Sequence, residues 1–152
     1  MNPVELLASL AGRWAGTNTL HDPHTSKPEA SPSTLTVTPV FGGRFVRLDY
    51  AWAYQGKPQE GSLLVGHDTG KTSGHWMDTW HMGRGVFACS GPADGEVVAL
   101  RGTYAAPPGP DWGWRIDLVP TAATLRVVMH NVHPAEMGGQ EVIAVEAEYA
   151  RA

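Results

Sequence analysis

At 152 residues the chain is long enough to bury a core as one domain, residues 1–152. Charged residues make up only 17%, the net charge is -4 and no basic run occurs, which argues against nucleic acid or an anionic membrane surface as partner. Glycine (18) and proline (12) are spread along the whole chain, which favours many short strands, and the single cysteine, Cys89, excludes an intramolecular disulfide and fits a reducing cytoplasm.

No apolar run reaches the length of a membrane span, and Met1–Leu7 lacks the basic and apolar regions of a signal peptide. A cytoplasmic protein is therefore expected. Asn2 is placed to cap a short helix with Pro3 in its first turn and Glu5 near its positive end. Leu6, Leu7 and Leu10 recur at helical spacing, and Gly12 ends the segment. So short a helix must dock on something, and one end of a barrel is the natural place.

From Gly12 the apolar period becomes two. Trp14, Gly16, Asn18 and Leu20 share one strand face. His21–Pro32 is polar and reads as a loop, and Leu35–Phe41 as a second strand before the Gly42-Gly43 turn. Arg44–Tyr54 alternates most clearly, with Arg44, Val46, Leu48, Tyr50, Trp52 and Tyr54 on the face to bury. Strands follow at Gln59–His67, Gly74–Met82, Val86–Ser90, Val97–Tyr104, Trp112–Val119, Leu125–His133 and Glu141–Tyr149. The expected fold is all-β: a single antiparallel up-and-down barrel of about ten strands, its short N-terminal helix closing one end. Closure removes the sheet edges, and a barrel of this width has room for a ligand.

The opening Leu10-Ala-Gly-Arg-Trp-Ala-Gly16 resembles the Gly-x-Trp signature of the calycins: lipocalins, fatty-acid-binding proteins and nitrobindins. The runs Phe41-Gly-Gly-Arg-Phe-Val46, Glu60-Gly61 through Gly66-His-Asp68 and Trp76-Met-Asp78 resemble more closely an uncharacterised bacterial family of lipocalin-like proteins, a domain of unknown function. That resemblance implies an antiparallel barrel with a central cavity and no established activity. The nitrobindin pattern breaks at Asn18, where its next glycine would stand, and the final strand carries no haem-ligating His. The Arg-x-Tyr clamp of fatty-acid-binding proteins is also missing from Glu148-Tyr-Ala-Arg151.

The candidate ligand-binding residues are Arg44, Tyr50, Trp52, Trp76, Asp78, Trp80, Trp114, Asn131 and His133. Tyr50 and Trp52 offer large surfaces with polar tips, suited to an apolar pocket with few hydrogen bonds. Alternation through Gly74–His81 puts Trp76, Asp78 and Trp80 inside and His75, Met77, Thr79 and His81 outside. A buried Asp78 needs a partner or a raised pKa, and Arg44 is one partner available to it. Arg44 itself lies either at the rim, with its head in water, or buried and awaiting an anion. Trp114 belongs to a second aromatic wall with Trp112, Ile116 and Leu118. Asn131 and His133 share the inner face of their strand.

The leading reading is a binder of a small, partly apolar molecule in a continuous cavity of a few hundred Å³. No cofactor and no metal site is expected: His75 and His81 lie about 20 Å apart along an unbroken strand. Catalytic signatures such as Gly-x-Ser-x-Gly are absent, so an enzyme is the less favoured class. The alternatives are a haem binder using His133, an enzyme with a cavity Asp/His pair, and a module that self-associates as a homodimer.

Overall fold

A computed structural model describes residues 1–152. Its order is α1 (Pro3–Ala8), β1 (Gly12–His21), β2 (Pro28–Val40), β3 (Phe45–Tyr54), β4 (Lys57–Asp68), β5 (Lys71–Asp78), β6 (Phe87–Pro92), β7 (Val98–Tyr104), β8 (Trp112–Pro120), β9 (Thr124–Val132) and β10 (Glu141–Arg151). Each strand pairs antiparallel with its neighbours in sequence, and β1 pairs with β10 to close the barrel.

The helix forms for the reasons read from its sequence. Asn2 and Glu5 make a reciprocal capping box, each side chain accepting from the other's backbone N–H. Val4 and Leu7 are buried where α1 docks against β2, β3 and β4, so the helix covers one end of the barrel. Trp14 lies beneath it and donates its indole N–H to the Leu10 carbonyl at 2.9 Å.

Gly12-x-Trp14-x-Gly16 marks the closing seam. A Cβ at Gly16 would lie 1.8 Å from the Glu148 carbonyl oxygen, so only glycine lets β10 approach β1 there. The seam is reinforced by Arg151. Its guanidinium sits 4.3 Å from the Trp14 ring centroid, and its Nη1 donates to the Ala11 carbonyl.

The polar segment expected as a loop up to Pro32 is already strand from Pro28. Proline is tolerated at a strand's first residue. The inward positions after it are Ser31 and Ser33, which conceal the period from any reading of apolar residues. Ser33 donates to the Ala51 carbonyl at 2.7 Å and meets the Tyr149 hydroxyl at 2.8 Å, so its polarity is satisfied inside.

The inner face of β3 is as expected from Val46 to Trp52, but Arg44 is not on it. The Phe41–Gly43 turn extends through Arg44, which is exposed at the helix-covered end. Asp78 ends β5 at the opposite end. Six or more residues of strand, roughly 20 Å, separate the two levels, so Arg44 is no partner for Asp78.

The large central cavity is also absent. Large aromatic residues, with a layer of Leu and Val, fill the barrel. The remaining deep chamber, between Leu35, Leu48, Leu118, Met129 and Tyr149, measures about 20 Å³. That is room for about one water. The usable space lies instead at the open end, away from α1.

Candidate functional site

The open end is organised by one row of three cross-strand neighbours. Tyr50 on β3 pairs with Gly61 on β4, and Gly61 pairs with Asp78 on β5. Gly61 has no side chain, so the Tyr50 ring lies across it and reaches the second strand over. A Cβ at Gly61 would fall 2.1 Å from both Cζ and the hydroxyl oxygen of Tyr50. Tyr50 thereby donates its O–H to Asp78 Oδ2 at 2.6 Å and accepts from Trp76 Nε1 at 2.9 Å.

Asp78 also ends the strand. Its Oδ1 accepts the backbone N–H groups of Trp80 and His81, both at 2.9 Å, and its own carbonyl accepts from Met82. An aspartate bonded to the N–H groups two and three residues on is a turn former. The chain therefore leaves the sheet, and His81 does not take the outward position that strand alternation assigned to it. It swings back over the barrel mouth, where its Nδ1 lies 3.1 Å from Asp78 Oδ1.

Burial acts to raise the Asp78 pKa. The His81 side chain, the Tyr50 hydroxyl and the His81 backbone N–H outweigh it and hold the carboxyl below its usual range. The Tyr50 hydroxyl is pushed well above its ordinary value, first by burial and then by the Asp78 charge, so it remains a donor. The ionised carboxylate makes Nδ1 the donor, so that in the neutral imidazole the lone pair lies on Nε2.

Nε2 has no hydrogen-bond partner and is closed off from solvent. The His81 side chain is nine-tenths buried. Around its ring stand Trp80, Trp76, Trp114 and Trp52, with centroids at 4.6, 5.4, 5.5 and 5.9 Å. Trp114 stacks on Trp76 at 5.4 Å and 12°, and its own Nε1–H is likewise buried and unpartnered. Two unpartnered buried nitrogens, His81 Nε2 and Trp114 Nε1, thus occur among four indoles.

Two clefts flank this pair. The larger, about 300 Å³, is lined by Trp76, His81, Met82, Phe87, Tyr104 and Trp114. A smaller one of about 130 Å³ is lined by Trp80, His81, Trp114 and Asn131, together with Leu20 and Ile143. His81 and Trp114 border both.

Tyr50, Trp52, Trp76, Asp78, Trp80, Trp114 and Asn131 are all brought to this half of the barrel. Asn131 accepts from the Tyr104 hydroxyl at 2.6 Å. Trp80 packs on Tyr54, whose hydroxyl donates to buried Asp22 and ties down the β1–β2 connection. Arg44 is at the far end. His133 lies past the end of β9, packed on the Trp112 ring at 4.5 Å, and lines neither cleft. His81, Met82, Phe87 and Tyr104 were not foreseen as site residues.

No curated protein matches the chain. Residues 2–151 match a family described as "Protein of unknown function (DUF1579)". The match runs from the helix cap at Asn2 to Arg151 on the closing seam, the whole barrel, and the chain belongs to this DUF1579 family.

Proposed function

We propose that this barrel binds a small, largely aromatic molecule in the cleft between Trp76, Phe87, Tyr104 and Trp114, with a hydroxyl group at His81. One observation carries this reading: His81 and Trp114 line the same apolar cleft, and each has a buried nitrogen, Nε2 and Nε1–H, without a partner. Each orphaned group costs the fold about 1–3 kcal/mol. A hydroxyl satisfies both, donating to Nε2 and accepting from the indole. A carboxylate does not, because it would meet the Nε2 lone pair. The volume of about 300 Å³ is at the small end for ligand pockets.

Access requires one wall to give, since both nitrogens are shielded from solvent. Met82 is the wall with the least resistance: it is half-buried, unbranched, and set on the turn that contains Gly83 and Gly85. The lipocalin-like kinship suggested by the Gly12-x-Trp14 opening agrees with a binding role.

Isothermal titration with 1-naphthol, 1-methoxynaphthalene and naphthalene tests the reading. The naphthol binds most tightly, by roughly 3- to 10-fold over the ether, which keeps the acceptor and loses the donor. Trp114→Phe weakens both oxygenated ligands and leaves naphthalene unchanged. Equal affinities for all three, or no binding by any, would refute it.

A further inference from the structure

We infer that His81 is a general base, so that the same cleft is competent to remove a weakly acidic C–H proton from a conjugated ligand. The inference rests on the binding reading above and adds a reaction to it.

The Asp78–His81 pair carries the argument. The carboxylate is held on both oxygens: Tyr50 donates to Oδ2, and two backbone N–H groups converge on Oδ1 beside His81 Nδ1. The imidazole is thus fixed in orientation and tautomer, with its basic nitrogen on the side away from Asp78. When Nε2 takes a proton, the imidazolium that forms is already paired with an ionised carboxylate. The surrounding indoles exclude water, so the base is not masked by hydration. Trp114 lines the same cleft, and its unpartnered Nε1–H is the donor assigned to the negative charge that develops on the ligand.

The geometry favours proton transfer over nucleophilic catalysis. No serine, threonine or cysteine hydrogen-bonds Nε2. The one thiol, Cys89, is turned to the Gly74 carbonyl in the wall. The substrate class is therefore a flat, conjugated molecule whose carbanion or phenolate is stabilised by its own π system.

The probe is 5-nitrobenzisoxazole. His81 Nε2 removes the proton on C3. The C–H electron pair becomes the second π bond of a nitrile, the N–O bond breaks, and oxygen departs with its electrons as 2-cyano-4-nitrophenolate. The imidazolium then returns its proton to water, and no oxidant or reductant is needed.

The full chain is expected to catalyse this elimination saturably. His81→Gln lowers the rate by at least about 100-fold, the lower bound for loss of a general base. His75→Gln, on the exposed face of β5, leaves it unchanged. Circular dichroism establishes that the His81 variant is folded. On the unsubstituted protein, 1-naphthol inhibits competitively, which tests the site without any mutation. A rate that survives His81→Gln in the folded variant, or one indifferent to naphthol, overturns the inference. Naphthol binding with no elimination above buffer overturns it too, while leaving the binding reading intact. Absence of both overturns the two together.

Discussion

Replacing Gly61 by alanine tests whether the Tyr50–Gly61–Asp78 row is the device that builds the barrel mouth. The new Cβ would sit 2.1 Å from the Tyr50 hydroxyl oxygen, and its three nearest neighbours all belong to Tyr50. The ring must therefore move. Tyr50 then loses its bond to the Asp78 carboxylate, worth about 1.5–3 kcal/mol, and the one from Trp76, worth about 0.5–1.5 kcal/mol. Alanine returns about 0.5–1 kcal/mol because glycine is a poor strand residue. The net cost is roughly 2–3 kcal/mol, or a fall of about 5–10 °C in Tm for a chain of this size. Urea and thermal melts of the single variant measure it. The decisive comparison is the same substitution in a Tyr50→Leu background, where nothing lies across residue 61 and Gly61→Ala becomes neutral or stabilising. An equal cost in both backgrounds would refute the reasoning, because the strain would then come from something other than Tyr50.

Asp78→Asn keeps an oxygen for the turn but loses the charge, and costs about 2–3 kcal/mol at neutral pH. Because the folded-state pKa of Asp78 lies below its unfolded value, its stabilisation is present above about pH 4 and is lost as pH falls through the folded value. The wild type should thus lose more Tm than the Asn variant between about pH 5 and pH 2, and parallel acid limbs would contradict this. Burial pushes the Cys89 thiol up to about 12, so a disulfide-exchange reagent at mildly alkaline pH should label it only after denaturation. Fast labelling of the native protein would show that the wall around it opens. Gly16→Ala forces its Cβ into the Glu148 carbonyl, a backbone atom that cannot turn aside, and should cost roughly 3 kcal/mol or more. A melt unchanged from wild type would mean that the seam is looser than described.

The strands were legible where inward residues were apolar. Val46, Leu48 and Trp52 are buried as their alternation requires, and Trp76 and Asp78 point inward as their spacing requires. β2 was half hidden because Ser31 and Ser33 carry no hydrophobic signal. His81 was misplaced because alternation was carried three residues past the strand's end. The signal for that end was Asp78 itself, a turn-forming residue with Gly83-Arg-Gly85 soon after it. The filled interior was not legible: strand number sets a barrel's width, but how far Trp14, Trp52, Trp76 and Tyr149 occupy it depends on rotamers and cross-barrel packing. Nor does the sequence reveal that Tyr50 crosses a glycine to reach the next strand but one.

The β1–β10 seam has a consequence for how the molecule assembles. Nine of the ten strand pairings join neighbours in sequence and can form hairpin by hairpin. The seam alone joins distant chain, with His21 and Glu146 meeting across 125 positions. Its loop-closure entropy falls on a single step, after the ribbon has curled. Until then β1 and β10 are raw edges, open to the matching edges of another molecule. Glu146 and Glu148 lie along one of those edges, and their like charges oppose edge-to-edge pairing of two copies of β10. The last strand therefore completes the barrel and, until it does, carries like charges of the kind that blunt a sheet edge.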